Sequence, residues 1–212
     1  MKPELSVYPS DRPFAAIVLA HGAGGGQHSH FMVLAARELA ARGITTATFD
    51  FPYVVEHRKV PDKAPVLEES WRGALEVARE HPVVKGLPVF IGGKSMGGRI
   101  ASHLAAAHAD GFRALVFFGY PLHPPGRPEQ RRDAHLPNVR EPMLFVQGTR
   151  DPFGTADDIQ ALLPQLNAGA AVHAVLDGDH SFRVRVSVAG KSQDAVFAEI
   201  FDAAAAFIQR SS

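Results

Sequence analysis

The chain of 212 residues contains no cysteine. That absence excludes disulfide bonds, thiolate metal sites and a cysteine nucleophile, so any covalent chemistry must use another side chain. The chain also has no net charge, because 22 Lys and Arg residues balance 22 Asp and Glu residues. No overall electrostatic field therefore attracts nucleic acid or an anionic membrane, and neither is expected as a partner.

Long apolar runs are missing as well. No stretch approaches the ~18 consecutive apolar residues of a membrane-spanning helix, and the N-terminal segment MKPELSV lacks the apolar core of a signal peptide. We therefore expect a soluble, cytoplasmic protein. Hydrophobic residues make up 46% of the sequence, so residues 1–212 are predicted to form a single domain around one core, without a separate lid domain.

Short apolar runs alternate with longer helical patterns along the whole chain. This alternation is typical of a mostly parallel sheet covered by helices on both faces. The sequence therefore predicts an α/β fold, a three-layer α/β/α sandwich with about six core strands. The predicted strands cover residues 15–20, 45–50, 88–92, 114–118, 143–147 and 172–176.

Apolar residues recur at helical spacing in two segments. One stripe consists of Leu67, Trp71, Ala74, Leu75 and Ala78. The other lies on a C-terminal helix that Ser192 can cap and consists of Val196, Phe197, Ile200, Phe201, Ala204, Phe207 and Ile208. Thr155 and Asp158 have capping-box spacing, which predicts that another helix begins there.

Two stretches, residues 51–65 and 121–142, lack a regular pattern. Both leave the carboxyl ends of predicted strands, where ligands bind in open α/β sheets, so both are candidate walls of a cleft. The second stretch contains six prolines and several arginines. It is too short for a lid domain, and a solvated loop is its simpler interpretation.

The segment VFIGGKSMGGR, residues 89–99, carries the strongest chemical signal. An apolar run enters a Gly-Lys-Ser-Met-Gly turn and a helical pattern leaves it, as in a nucleophile elbow. On such a turn Ser95 projects from the sheet, and the flanking glycines are needed because side chains there would collide. A nucleotide-binding P-loop, the alternative, needs a glycine at position 88, which is a proline.

A serine nucleophile needs a base and an acid. His180 follows the sixth predicted strand in a glycine-bearing turn, and Asp151 follows the fifth. Asp177 and Asp179 compete for the role of the acid. Residues so close to the histidine in sequence rarely reach its ring, so Asp151 is favoured.

A glycine-rich loop, LAHGAGGG at residues 19–26, follows the first predicted strand. Such a loop exposes backbone N–H groups to an anion. Parallel-sheet topology should bring Ala23 or Gly24 beside the N–H of Met96, where an oxyanion would form. A flexible turn is the other interpretation of these glycines.

Charged residues and histidines around these segments have simple explanations. Lys94 and Arg99 flank the candidate nucleophile and could attract an anionic substrate, but exposed helix charges are the simpler interpretation. His21 is predicted to fix the glycine loop by hydrogen bonding. No metal is expected, because His28 and His30 have no nearby carboxylate or cysteine.

The motifs HGAGGG, GGKSMGGR, GTRDPFG and GDHSF together resemble the α/β-hydrolase superfamily over nearly the whole chain. The chain looks like a small, lidless member. Its FDFPY and GGKSMGGR segments are similar to bacterial hydrolases grouped with a testis-expressed protein and an NSL-complex subunit, and dienelactone-hydrolase-like proteins are more distant relatives. Dienelactone hydrolase itself uses a cysteine nucleophile, so its lactone specificity is not carried over.

This resemblance implies that Ser95, Asp151 and His180 form a catalytic triad. It also implies that the N–H groups of Met96 and Ala23 form an oxyanion hole. The core strands should then have the order 2-1-3-4-5-6. Few residues precede the first core strand, so the N-terminal antiparallel strands of larger members are expected to be shortened or missing.

The combined signals predict a serine hydrolase that cleaves an ester or related acyl bond in a small molecule through a covalent acyl-enzyme, without a cofactor. The alternative is a non-catalytic binding module on the same fold, because the related NSL subunit belongs to a chromatin assembly. Aromatic residues at predicted strand exits are candidates to line the substrate pocket, with rim packing as the alternative. They are Phe51, Tyr53, Tyr120, Phe153 and Phe182.

Overall fold

A seven-stranded sheet forms the centre of the computed structural model, which describes residues 3–212. Its strands are β1 (Leu5–Tyr8), β2 (Ala15–Ala20), β3 (Ile44–Phe49), β4 (Val89–Lys94), β5 (Leu115–Phe118), β6 (Met143–Gly148) and β7 (Ala170–Val175). They are arranged in the order β1-β3-β2-β4-β5-β6-β7. β1 pairs antiparallel with β3, and the other neighbours are parallel.

All six predicted strands are present, as β2 to β7, with ends that differ from the prediction by at most two residues. Counted among themselves, these six strands have the order 2-1-3-4-5-6. The predicted topology is therefore confirmed. The resemblance implied that N-terminal antiparallel strands are shortened or missing, and one such strand, β1, is present with four residues.

Helices cover both faces of the sheet. In chain order they are α1 (His30–Ala41), α2 (Pro52–Val55), α3 (Ala64–Glu80), α4 (Met96–Ala106), α5 (Ala156–Gln160), α6 (Val186–Ala189) and α7 (Gln193–Arg210). Buried residues of α3 and α4 form one hydrophobic layer with the sheet, and those of α1 and α7 form the other. The predicted three-layer sandwich is confirmed.

The strand β2 shows how the sequence specifies this sandwich. All of its residues are buried. Ala16 and Val18 belong to the hydrophobic layer of α3 and α4, whereas Ile17 and Leu19 belong to the layer of α1 and α7. Because both faces of the strand are covered, every position must be apolar and the apolar run is continuous.

The predicted helix signals are also found. Every residue of the stripe that begins at Leu67 is buried in α3. Ser192 caps α7, since its Oγ accepts a hydrogen bond from the Ala195 N–H at 3.2 Å. Thr155 and Asp158 form the capping box in front of α5. Local sequence chemistry therefore sets the first turn of two helices.

The two stretches without a regular pattern differ in structure. Residues 51–65 contain α2 and the first two residues of α3, whereas residues 121–142 contain a 3-10 turn at Leu136–Asn138 in an otherwise irregular path. They follow β3 and β5 at the carboxyl edge of the sheet. Within residues 3–212, no helix combines the length and apolar character that crossing a bilayer requires.

Candidate active site

Ser95 stands at the sharp turn between β4 and α4. Its backbone has φ 51° and ψ −118°, a strained conformation that residues with a side chain rarely adopt outside functional sites. The flanking glycines are required by close approach, because a Cβ on Gly93 or on Gly97 would lie 2.2 Å from the carbonyl oxygen of Ala20 in β2. This turn has the geometry of a nucleophile elbow.

His180 and Asp151 lie beside this serine. The Nε2 atom of His180 is 2.9 Å from Ser95 Oγ, and its Nδ1 atom is 2.7 Å from Asp151 Oδ2. A carboxylate only accepts hydrogen bonds, so Nδ1 carries the proton and donates a hydrogen bond to Asp151. Nε2 is then the bare nitrogen that accepts from the Ser95 hydroxyl. The structure brings the three predicted residues together as hydroxyl, imidazole and carboxylate.

Asp151 is buried and held by more than the imidazole. Its Oδ1 accepts from the Phe153 N–H at 2.8 Å, and its Oδ2 also accepts from Gln147 Nε2 at 3.1 Å. Sequence analysis does not single out Gln147, which is buried near the end of β6 and whose Oε1 accepts from the Tyr120 N–H at 2.7 Å. A glutamine in an otherwise apolar strand is the signal that identifies it. This amide orients the carboxylate.

The competing carboxylates have other partners. Asp177 forms ion pairs with Arg185 and, at 2.7 Å, with Arg150. Hydrogen bonds from Arg185 hold the pKa of Asp177 well below its usual range. The Oδ1 atom of Asp179 accepts from two backbone N–H groups of its own turn, at 2.8 and 2.9 Å. Both carboxylates are therefore engaged away from the imidazole.

Lys94 directly precedes the elbow serine and is half-buried. Its Nζ donates to the carbonyl oxygen of His180 at 2.5 Å and lies 5.3 Å from the centroid of the Phe182 ring. Burial lowers the pKa of Lys94 to about 8, against the opposing effect of the Asp151 charge. The interpretation of Lys94 as an exposed helix charge is therefore wrong. This side chain ties the His180 turn to the elbow.

The glycine loop after β2 reaches the elbow. A Cβ on Gly22 would lie 3.4 Å from Ser95 Cβ. Ala23 and Gly24 are exposed and line the same cavity as the serine. Tyr53 Oη donates to the carbonyl oxygen of Ala23 at 3.1 Å. The loop is thus fixed next to the elbow by a side chain from α2.

His21 holds the other end of this loop. Its ring is fully buried, and Nε2 accepts from the Phe51 N–H at 3.2 Å. Nδ1 is therefore the protonated nitrogen, and it donates to the carbonyl oxygen of Gly22 at 2.8 Å. Burial lowers the pKa of His21, which keeps the ring neutral. The structure agrees with the predicted hydrogen-bonding role of His21.

Most of the candidate pocket aromatics lie in the core. Phe51, Tyr53, Tyr120 and Phe182 are at most 2% exposed, whereas Phe153 lines the cavity with its ring centroid 4.2 Å from that of His180. This corrects the expectation for the first four residues. Their side chains turn back from the strand exits into the hydrophobic layers, where apolar area is removed from water.

A cavity of about 600 Å³ opens at the elbow and is lined by Ser95 and His180. Pro61 belongs to the first irregular stretch and Pro121 to the second, and both line this cavity, so both stretches form walls of the cleft. Arg99 also lines it and is half-buried. Arg99 is therefore no exposed helix charge either.

A second serine–histidine pair lies farther along α4. Ser102 Oγ is 2.7 Å from His135 Nε2 and donates to the carbonyl oxygen of Arg99 at 2.7 Å. Ser102 is completely buried. Tyr120 Oη lies 3.5 Å from both Ser102 Oγ and His135 Nε2. This pair connects α4 to the second irregular stretch.

The chain belongs to the α/β-hydrolase domain family, whose model matches residues 13–209. It is a small α/β-hydrolase that is similar to dienelactone hydrolase from Anabaena variabilis, with 19% identity, a TM-score of 0.76, and coverage of 100% of this chain and 99% of that chain. A lidless α/β serine hydrolase from Xanthomonas campestris has 20% identity, a TM-score of 0.73, and coverage of 98% and 88%.

Est1E from Butyrivibrio proteoclasticus, solved with ferulic acid bound, has 15% identity, a TM-score of 0.73, and coverage of 98% of this chain and 96% of that chain. At these identities the solved structures establish the fold. The relation to the testis-expressed protein and the NSL-complex subunit stays a resemblance of motifs. The family, the fold and the hydrogen-bonded serine–histidine geometry define a hydrolase of the serine type.

Proposed function

We propose that this protein cleaves an ester or related acyl bond in a small molecule through a covalent intermediate on Ser95. The observation that carries the proposal is the alignment of Ser95 Oγ with the bare Nε2 of His180, whose Nδ1 faces the buried Asp151, at the edge of an open cavity. Fold alone does not carry it, because one fold hosts many functions.

In the proposed reaction, Ser95 Oγ attacks the acyl carbon while its proton passes to His180 Nε2. Asp151 stabilises the imidazolium that forms. The bond between the acyl carbon and the leaving oxygen then breaks, and His180 gives the proton to that oxygen. Water then gives a proton to His180 Nε2 and attacks the acyl carbon of the Ser95 ester. The bond between that carbon and Ser95 Oγ breaks, His180 returns the proton to Oγ, and the acid is released, which restores all three groups.

The helix α4 supplies one donor for the oxyanion. Met96 is its first residue, so the Met96 N–H has no acceptor within the helix. The positive end of the helix dipole lies at the same place. Because Met96 directly follows Ser95, its N–H is available next to the attacked carbonyl.

The glycine loop supplies the second donor in this proposal. In a trans peptide the N–H points away from the C=O. His21 binds the carbonyl oxygen of Gly22, and the buried Tyr53 binds that of Ala23. These bonds hold the two carbonyl groups toward the core. Their direction supports the proposal that the N–H groups of Ala23 and Gly24 face the cavity.

Labelling with a fluorophosphonate tests this function. The expected result is one adduct, located on Ser95 by mass spectrometry, in the wild-type protein and in Ser102→Ala, and none in Ser95→Ala. Absence of an adduct on folded wild-type protein contradicts the proposal and favours the non-catalytic binding module. An adduct on Ser102 would assign the nucleophile to the other pair.

A further inference from the structure

The cavity at the elbow contains more cationic than acidic side chains. Lys94, Arg99 and Arg132 line it, and Asp62 is its acidic lining residue within the described part of the chain. The carboxylate of Asp62 pairs with Arg58 at 2.7 Å through Oδ1, while its Oδ2 has no partner. Asp62 is thus already paired with Arg58, which is not one of the three cationic residues that line the cavity.

Lys94 does not account for the excess of positive charge in the cavity. Its Nζ is bound by the carbonyl oxygen of His180, and the charges of Asp151 and Asp179 act on it. The unbalanced charge therefore resides on the two arginines. Neither Arg99 nor Arg132 forms an ion pair with any carboxylate in residues 3–212.

The guanidinium of Arg99 has an unsatisfied donor. Its Nε is buried without a hydrogen-bond partner, and its Nη1 donates to His103 Nε2 at 3.3 Å. The Nδ1 atom of His103 donates in turn to Glu68 at 2.8 Å. This chain positions Arg99 but leaves one donor free. A buried donor without a partner costs free energy.

Arg132 is held beside it by its backbone. The Arg132 N–H donates to the carbonyl oxygen of Leu122 at 2.8 Å, and its own carbonyl oxygen accepts from Tyr120 Oη at 3.1 Å. Burial lowers the pKa of Arg99, and the charge of Arg132 contributes to that shift. The charge of Glu68 opposes this shift, but Glu68 contacts His103 and forms no ion pair with Arg99 in the described residues. Two guanidinium groups without a directly paired carboxylate therefore repel each other in a half-buried cavity. Such an arrangement is costly unless an anion joins it.

We propose that Arg99 and Arg132 bind an anionic oxygen group, a carboxylate or a phosphate, that the substrate carries in addition to the bond to be cleaved. Guanidinium groups suit this task because their planar donors match carboxylate and phosphate oxygens. The inference rests on the proposed function for the identity of the bond. The binding of the anion is measured separately.

Monomethyl and dimethyl glutarate are matched probes that differ by one carboxylate. Calorimetric titration of each into the Ser95→Ala protein measures binding without turnover. The monomethyl ester is expected to bind about tenfold or more tightly than the dimethyl ester, the usual gain from a charge-assisted hydrogen bond. Inorganic phosphate as a competitor distinguishes the sources, since stronger competition by phosphate than by glutarate assigns a phosphate group.

Two substitutions in the same background test the residues. Arg99→Gln and Arg132→Gln should each abolish most of the preference, whereas Arg132→Lys should retain part of it. Arg127→Gln, at an exposed position of the same loop, should retain all of it. Thermal unfolding checks each variant, and Arg132→Gln carries the test if Arg99→Gln does not fold.

Equal binding of the two esters, or a preference that survives both glutamine variants, overturns the anion subsite. In wild-type protein the same preference should be visible in kcat/KM for the 4-nitrophenyl monoester of glutarate against 4-nitrophenyl pentanoate. Fluorophosphonate labelling without an anion preference leaves the hydrolase proposal intact and removes this inference. Anion binding without labelling supports the anion subsite and contradicts the hydrolase proposal.

Discussion

The molecule contains two serine–histidine pairs along one helix, and they differ in what surrounds them. Ser95 and His180 lie 2.9 Å apart at the cavity, and Ser102 and His135 lie 2.7 Å apart in the interior. By distance alone the buried pair is the better hydrogen bond. The comparison therefore shows which other properties make a serine a candidate nucleophile.

The direction of the hydrogen bond differs between the pairs. Ser102 donates its hydroxyl proton to the carbonyl oxygen of Arg99, so it accepts from the His135 ring. Asp151 binds the protonated Nδ1 of His180, so the bare Nε2 can take the proton of the elbow serine. Only this second direction allows the histidine to act as a base. The carboxylate behind the ring sets that direction.

The largest expected effect separates the two serines. Ser95→Ala should lower kcat for a 4-nitrophenyl ester by up to about a million-fold, because the covalent step loses its nucleophile. Ser102→Ala should leave kcat close to that of the wild type. It should instead reduce the free energy of unfolding by about 1 to 3 kcal/mol, since the His135 N–H loses its closest acceptor.

Steady-state kinetics and urea unfolding of both variants provide the measurement. Comparable loss of turnover in Ser102→Ala, with the folded state intact, would show that the buried pair takes part in catalysis. Equal turnover of Ser95→Ala and wild type would remove Ser95 from its role.

The second effect concerns the carboxylate behind the histidine. Asp151→Asn should lower kcat by roughly ten-thousand-fold, because an amide favours the wrong tautomer of the ring. Asp177→Asn is the matched control, since it replaces the neighbouring buried carboxylate that pairs with arginines. It should reduce thermal stability with a small effect on kcat. The reverse pattern would reassign the acid to Asp177.

The elbow and its partners could be predicted because their signals are local. The glycines around Ser95 lie within a single turn, and Asp151 and His180 each follow an apolar run that ends in a turn. The strand order comes from the family resemblance, and the sheet agrees with it. Close approach of Gly93 and Gly97 to β2 explains why neither position can carry a side chain.

The supporting residues could not be predicted because their roles depend on packing between distant segments. Gln147 acts on Asp151 only after β5 and β6 lie side by side. Phe51 and Phe182 occupy strand exits, yet the backbone directs their rings into the core. Arg99 resembles a helix surface charge until the second irregular stretch covers it. A position at a strand exit places a residue near the site but does not determine the direction of its side chain.

A third and smaller effect concerns the glycine loop that carries the proposed oxyanion donor. Tyr53→Phe removes the hydroxyl that binds the Ala23 carbonyl oxygen, and the buried pair has no such loop beside it. Loss of a direct oxyanion donor typically lowers the rate ~100-fold to ~1,000-fold. Loosening the loop that carries one donor should therefore lower kcat about tenfold, with KM nearly unchanged. Tyr8→Phe in β1 is the control. An equal kcat in both variants would contradict the positioning role of Tyr53.

The smallest effect is a pH dependence that belongs to the buried pair. Burial, together with the nearby His103 and Arg99, lowers the pKa of His135 to about 4. The unfolded ring titrates near about 6.5, so between these values the unfolded chain binds a proton that the folded protein does not. The contribution of His135 to stability is therefore complete above pH 6.5 and is lost as the pH falls toward 4.

Comparison with His135→Gln isolates this contribution, because the other histidines are the same in both proteins. Between pH 7 and pH 4.5, the wild type should lose about 2 kcal/mol more unfolding free energy than the variant, after allowance for partial exposure of the ring. His28→Gln, at an exposed position, should behave as the wild type. Parallel losses in wild type and His135→Gln would mean that the ring titrates alike in both states, and the buried pair would then lose its distinguishing feature, a histidine held neutral to donate.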